Sequence, residues 1–200
     1  MEGNIIRKKE YIVIAAIALI DEKGIYNVST KEIAKRVGIS EGMIFKIFPK
    51  KSDLMLTVLD NFSMYDNDMY RTTFERYEDP FEAILFYITK YLVYYENYPE
   101  ITAVFQGMEL LYGLPGIEDR AKEIYQNRLN ALKQLVIKAQ DMGKMDRSID
   151  PDTIAVILYS IFRGMCVKWR TAEYGFPLTE RTKYAISIVL DSLKKQLPAV

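Results

Sequence analysis

Apolar residues recur at intervals of three and four positions along most of the chain, and no stretch alternates strictly between apolar and polar residues. Intervals of three and four place side chains on one face of an α-helix, so this pattern predicts an all-α protein. Caps, glycines and prolines divide the pattern into about nine helices. The predicted helices cover residues 5–23, 29–38, 40–48, 52 into the segment 65–77, 79–97, 99–113, 118–142, 150 onwards and 179 onwards.

The second and third predicted helices are joined by a tight turn. Ser29 and Glu32 have the spacing of a capping box, which starts a helix, and Gly38 supplies the left-handed residue that ends it. A small residue at Ala34, the turn glycine and Ile44 repeat the internal packing of a helix-turn-helix. Such a unit presents its second helix to the major groove of DNA. The alternative is an ordinary helical hairpin within a helical protein.

The composition is that of a soluble globular protein, with 50% apolar and 27% charged residues among 200. The chain has no histidine, which excludes His-based triads and metal sites, so we expect neither enzymatic activity nor a cofactor. The single Cys166 excludes an intramolecular disulfide and fits a reducing cytosol, which predicts a cytoplasmic protein. The apolar run 11–20 is about half the length that spans a bilayer, so no membrane partner is expected.

The formal net charge of zero is a cancellation between the two parts of the chain. Residues 1–56 carry ten Lys and Arg against seven Asp and Glu, and the remainder carries the matching negative excess. The cations that bracket the two-helix unit are Lys31, Lys35, Arg36, Lys46, Lys50 and Lys51. Such an excess is modest but fits a phosphate-bearing partner. A solvated charged face is the alternative.

The first predicted helix would complete a three-helix head with this unit. A family resemblance rests on Ile12, Val13, Ala15, Ala16, Leu19, Ile20, Gly24, Ser29, Thr30, Ile33, Ala34, Gly38, Ile39, Ser40, Gly42, Ile44, Phe45, Phe48, Pro49, Lys51 and Leu54. In these residues the sequence resembles the N-terminal domain of the TetR family of transcriptional regulators. We therefore expect a helix-turn-helix DNA-binding domain over 1–51 and a larger helical ligand-binding and dimerisation domain over 52–200.

In that family the second helix of the unit enters the major groove, which implies a double-stranded DNA operator as partner. The positions that the resemblance assigns to DNA are Thr30, Lys31, Ser40, Glu41, Gly42, Met43, Phe45, Lys46, Ile47 and Lys51. Among them, Lys46 is a long donor able to reach guanine O6 or N7, and Lys51 would contact a phosphate. Phe45 and Ile47 stand where the family usually has polar-tipped rings. We expect Phe45 to pack on a thymine methyl and Ile47 to belong mainly to the core.

The last two helices of TetR-family members pair with those of a second subunit as a four-helix bundle, so the resemblance implies a homodimer. The residues expected at this interface are Ile157, Ile161, Gly164, Trp169, Ile186, Val189, Leu190 and Leu193. The same stripes also face the subunit's own core in part.

Aromatic residues are concentrated in the predicted ligand-binding and dimerisation domain, residues 52–200, which we call the body. Tyrosines at helical intervals on the fifth predicted helix and aromatic residues on the sixth would enclose a slot with apolar walls and hydroxyl tips. The predicted lining is Tyr91, Tyr95, Phe105, Met108, Glu109, Tyr112, Tyr125 and Phe162, with Glu109 partly buried. This slot would take an elongated or aromatic molecule and not a highly charged one. The competing outcome is a solid core.

Together these patterns predict a homodimeric transcription regulator. We expect a repressor that is released from a palindromic operator by a small, largely apolar effector. The alternative is a structural or interaction protein that uses the same DNA-binding head without an inducer.

Overall fold

The computed structural model describes the backbone of residues 2–194 and the side chains of residues 7–194, and the regular structure in this range is helical. The ten α-helices within residues 2–194 are α1 Glu2–Lys23, α2 Thr30–Val37, α3 Glu41–Ile47, α4 Lys51–Phe62, α5 Asp66–Arg76, α6 Pro80–Asn97, α7 Ile101–Gly107, α8 Glu118–Asp141, α9 Pro151–Thr171 and α10 Leu178–Leu193. Two short 3₁₀ segments, Ile25–Asn27 and Met108–Leu111, accompany them. The predicted all-α fold class is confirmed.

Two predicted helices differ in their limits from the observed ones. The segment that was expected to prolong the fourth helix is a separate helix, α5, because a turn at residues 63–65 interrupts the chain. The Ser63 hydroxyl donates to the Leu59 carbonyl at 2.9 Å and helps to close α4. The predicted sixth helix is shorter than expected, since α7 gives way to the 3₁₀ segment 108–111 and then to Gly113 at φ +85°.

The described chain forms two compact units. The first unit runs to Met64 and also contains Tyr98–Ile124, and the second contains Tyr65–Asn97 and the residues from Tyr125 onwards. The expected boundary between residues 51 and 52 separates the expected DNA-binding domain from the expected ligand-binding and dimerisation domain. This division stays a prediction.

The first unit is built around α1. Ile12, Ala16 and Ile20 are at most 1% exposed, and α1 packs against α2, α4 and α7. Apolar residues at intervals of four and eight therefore form the buried stripe that sequence periodicity predicts for a core-facing helix. Phe62 of α4 stacks on Phe105 of α7, with ring centroids 6.2 Å apart.

The second unit packs α10 against α6 and α9, and α5 against α6. Asp150 caps α9 by accepting from the Thr153 amide at 2.8 Å, with Pro151 at the first helical position as predicted. The Glu96 carboxylate accepts from the amide and the hydroxyl of Thr179, at 3.1 and 2.5 Å, and so holds the first turn of α10. No helix within residues 2–194 has the length and apolar character that crossing a membrane requires.

Candidate nucleic-acid interface and body cluster

The predicted turn between α2 and α3 forms as the local sequence requires. Ser29 and Glu32 make both hydrogen bonds of the capping box, amide to hydroxyl at 3.2 Å and amide to carboxylate at 3.4 Å. Gly38 ends α2 at φ +75°, a conformation that costs little only without a Cβ. Ser40 then caps α3 by accepting from the Met43 amide at 3.3 Å.

Buried side chains fix the position of α3 within the first unit. Ile33, Ala34 and Ile44 are at most 3% exposed, as the helix-turn-helix pattern predicts for the residues at the crossing of two helices. The Thr30 hydroxyl donates to the Glu41 carboxylate at 2.5 Å and so links the first turns of α2 and α3. Thr30 and Glu41 therefore already have each other as partners before any DNA contact.

The opposite side of α3 faces solvent. Gly42, Phe45 and Lys46 are exposed, as are Ser40 and Lys31. The other predicted DNA-contact positions on α3 and the start of α2 are half-buried, namely Thr30, Glu41, Met43 and Ile47. The half-burial of Ile47 accords with a largely structural role for that side chain.

Some cations of this unit are already paired within the chain, and others remain available for phosphates. Arg36 pairs with Glu22 at 2.6 Å, and Lys23 pairs with Glu32. By contrast, neither Lys46 nor Lys51 forms an ion pair among the side chains of residues 7–194, and both side chains are exposed. Lys51 is the first residue of α4, so its charge lies at a helix N-terminus, which itself favours anions.

The residues predicted to line an effector slot do not all belong to one compact unit. Phe105, Met108, Glu109 and Tyr112 lie in the first unit, and Tyr91, Tyr95, Tyr125 and Phe162 lie in the second. The expectation that Glu109 would be partly buried is wrong. In the 3₁₀ segment, three residues per turn direct Met108 and Leu111 inward and leave Glu109 exposed.

A buried charge that sequence reasoning missed occupies the interior of the second unit. Arg128 of α8 is 1% exposed. Its Nε and Nη2 atoms donate to the two carboxylate oxygens of Asp66, each at 2.8 Å, and Nη1 donates to the Tyr95 hydroxyl at 3.2 Å. The signal was present in the sequence, because Arg128 lies four residues after Ile124 and four before Leu132 on the apolar stripe of α8.

Tyrosines of α6 surround this ion pair. The Tyr91 hydroxyl donates to Asp66 at 3.1 Å, the Arg128 guanidinium lies 4.5 Å from the Tyr91 ring centroid, and the Tyr87 and Tyr91 hydroxyls are 3.4 Å apart. Burial raises the pKa of Tyr87 to about 12 and that of Tyr91 well above its ordinary value, so both are neutral at physiological pH. Burial opposes the charge of Arg128, but Tyr95, Asp66 and Tyr91 hold its pKa above the ordinary value. We call these residues, Asp66, Tyr87, Tyr91, Tyr95 and Arg128, the body cluster.

The interior around the body cluster is packed. Tyr95 stacks on Phe162 with centroids 5.7 Å apart, and Tyr125 meets Tyr159 edge to face at 5.3 Å. A cavity of about 10 Å³ remains beside Arg128, room for about one water molecule. Its lining is Tyr87, Ile88, Tyr91, Arg128, Leu132, Tyr159 and Phe162. The rings beside Arg128 therefore pack closely, and the effector slot expected from the sequence stays a prediction.

A larger groove of about 290 Å³ lies in the first unit and was not expected from the sequence. Its walls are mainly apolar, with Lys51 and Ser52 as the polar members. The lining comprises Ile25, Tyr26, Lys51, Ser52, Met55, Leu111, Leu114, Pro115 and Ile117.

The residues predicted for a dimer interface fall into two groups. Ile157 is 42% exposed, Gly164 is exposed, and Ile161, Val189 and Leu193 are half-buried. Trp169, Ile186 and Leu190, in contrast, are at most 4% exposed within the single chain, so they are core residues that offer little surface to a partner. Exposed apolar residues of the same two helices that the prediction omitted are Val156, Val167, Tyr184 and Ile188.

Comparison with known protein families gives two matches. A model described as "Bacterial regulatory proteins, tetR family" matches residues 12–58. A second, described as "MAATS-type transcriptional repressor, C-terminal region", matches residues 81–195.

Individual proteins resemble the chain over most of its length. It is 20% identical over 178 residues to the nucleoid occlusion factor SlmA of Vibrio cholerae, and the matched region covers 88% of this chain and 91% of that protein. It is 23% identical over 192 residues to the HTH-type transcriptional repressor BepR of Brucella suis, with coverage of 93% and 91%. The crystal structure of the transcriptional regulator FadR from Bacillus subtilis in complex with stearoyl-CoA has a TM-score of 0.80 at 16% identity, covering 92% of this chain and 98% of that one.

Proposed function

The chain belongs to the tetR family of bacterial regulatory proteins, and from this premise we propose that it is a homodimeric repressor whose α3 reads a palindromic operator and whose body responds to a small molecule. The observation that carries the proposal is the formed helix-turn-helix, with the apolar side of α3 buried and Gly42, Phe45 and Lys46 exposed. A regulator that occupies promoter DNA blocks transcription without further contacts. BepR, a relative over most of the chain, is named a repressor.

In this proposal, the exposed cations of the head have separate tasks. Lys46, in the last turn of α3, reads a base edge, and the absence of a side chain at Gly42 lets the backbone approach the groove wall. Lys51 holds a phosphate with the N-terminus of α4. Lys31, Ser40, Met43 and Phe45 complete the surface, while Thr30 and Glu41 brace it through their mutual hydrogen bond.

Substitution of the two lysines should separate base reading from phosphate binding. We expect Lys46→Ala to lose about 1–3 kcal/mol of discrimination between the operator and a mutated operator. Lys51→Ala should weaken all DNA sequences alike and reduce the slope of affinity against salt concentration. Fluorescence anisotropy titrations at several salt concentrations measure both effects.

A matched control is Lys90→Ala, which removes an exposed lysine of α6 in the other compact unit and should change neither quantity. If Lys46→Ala instead weakened every sequence equally, the reading role of α3 would have to be given up.

The proposed dimer interface is the exposed apolar side of α9 and α10. Ile157, Ile161 and Gly164 lie on one face of α9 at intervals of four and three, and Tyr184 and Ile188 share a face of α10. Tyr184 is 71% exposed and Ile188 54%, a large apolar area for a surface that faces only water. A two-fold symmetric contact there would also match the symmetry of a palindromic operator.

A second candidate function is a DNA-binding structural or interaction protein without an inducer. Two observations favour it, the packed interior of the second unit and the likeness to proteins named nucleoid occlusion factors. Under this alternative, no small molecule shifts DNA binding and DNA is retained at many dispersed sites. The hypothesis of a small-molecule effector is supported in turn by the FadR crystal structure, which contains stearoyl-CoA.

A further inference from the structure

The body cluster joins the start of α5 to the interior of the second unit. Asp66 is the first residue of α5 and lies two residues after Met64, the last residue of the N-terminal segment of the first compact unit. Its partner Arg128 is 2% exposed at the side chain, whereas Asp66 is 19% exposed. The pair is therefore asymmetric, with a fixed interior cation and a peripheral anion.

α5 packs against α6, but most of its side chains are exposed or half-buried. Thr73 is the one residue of this helix that is fully buried, and its hydroxyl is satisfied by the Met69 carbonyl of the same helix at 2.7 Å. With little apolar area removed from water, the first turn of α5 is held mainly by the hydrogen bonds of Asp66 to Arg128 and Tyr91, beside the edge contact of Tyr65 with Tyr94.

Arg128 needs an anion in this position but does not need this particular one. A guanidinium presents a planar pair of donors that fits any carboxylate, and an uncompensated buried charge is strongly unfavourable. An incoming carboxylate that replaces Asp66 keeps the guanidinium paired, so the exchange costs far less than breaking the pair. A neutral molecule offers no such compensation and leaves Asp66 in place.

We infer that the effector is an amphipathic carboxylate that takes the place of Asp66 on Arg128, and that the displaced first turn of α5 is the conformational signal. This inference rests on the proposed function and specifies its ligand class. The apolar part of the molecule lies against the Tyr87, Tyr91 and Phe162 rings that line the present cavity. Since that cavity holds about 10 Å³, the ligand occupies the space that the first turn of α5 vacates. The coupling exists because the ligand binds only the state in which Asp66 has left.

The test uses matched acids and alcohols as probes. Octanoate, decanoate and phenylacetate, each beside its neutral alcohol, are titrated by calorimetry into the full-length protein and into Asp66→Asn. The wild-type protein should bind at least one acid and none of the alcohols above background. Asp66→Asn removes the internal competitor, so the affinity for that acid should rise about tenfold or more. Asp60→Asn is the control. It changes the exposed carboxylate of α4 that pairs with Arg120, a residue of the same helix as Arg128, and it should leave the affinity for the acid unchanged.

Hydrogen exchange provides a second measurement that does not depend on a stable variant of Arg128. The amides of residues 66–73 should exchange faster in the wild-type protein with bound acid and in Asp66→Asn without it.

Three results would overturn the inference. Asp66→Asn and the wild-type protein could bind the acid with equal affinity, alcohols could bind as tightly as acids, or neither protein could bind any acid. Acid binding that survives Arg128→Gln unchanged would also overturn it and would point to another site such as the groove beside Lys51. None of these results touches the DNA titrations with Lys46→Ala, so the proposed function and this inference fail separately.

Discussion

Gly164→Leu should convert the protein from a dimer to a monomer and lower its affinity for a palindromic operator by more than about a hundredfold, because one head reads half of the site. Gly164 lies on the exposed side of α9, and among the described residues a Cβ added there would meet no atom within 4 Å apart from the adjacent residues and backbone of its own helix. Leucine also favours a helix over glycine by roughly 1 kcal/mol, so we expect the single chain to accept the change and a neighbouring subunit to oppose it.

Sedimentation equilibrium and operator titration of the same samples measure this prediction. Ile188→Glu, which places a charge on the exposed face of α10, should have the same effect by a different mechanism. Gln126→Leu is the matched control, because it adds the same side chain at an exposed position of α8. An unchanged dimer in both interface variants would show that copies associate elsewhere or not at all.

Arg128→Ala should lower the free energy of unfolding by about 3–5 kcal/mol, because it leaves Asp66 and Tyr95 without their buried partner. Arg120→Ala is the matched control on the same helix. Arg120 also forms two ion pairs, with Asp60 and Glu123, but its side chain is 32% exposed, so its loss should cost about 1 kcal/mol or less.

Urea unfolding followed by circular dichroism, at a fixed protomer concentration, checks both values. The double variant Arg128→Met with Asp66→Asn should recover much of the loss, because it removes the charge that Arg128→Ala leaves behind. A loss as small as that of Arg120→Ala would mean that the buried pair contributes no more than a surface ion pair.

The parts of the fold that sequence predicted well depend on local chemistry. Ser29 with Glu32, Gly38 and Ser40 each specify one hydrogen bond or one backbone conformation within a few residues, and the structure contains all of them. The same holds for Asp150 and Pro151 at the start of α9. Such signals do not depend on which helices meet.

The parts that sequence predicted poorly depend on long-range packing. Intervals of three and four place Trp169, Ile186 and Leu190 on apolar stripes, but a stripe does not say whether it faces the same chain or a second copy. Phe105 and Tyr91 likewise have the spacing of facing helices, yet they belong to different compact units. Arg128 was overlooked because charged residues are rarely fully buried without a partner, and its partner Asp66 is 62 positions away in the sequence.

The most direct measurement of the central claim is the sequencing of DNA fragments that the full-length protein retains from its own genome. We expect a small set of fragments that share an inverted repeat, with half-site centres separated by about 10 base pairs or a multiple of that spacing, as two copies of α3 on one face of the duplex require. Lys46→Ala should lose these fragments. Retention of fragments without any shared inverted repeat, to the same extent by the wild-type protein and by Lys46→Ala, would contradict an operator-reading dimer.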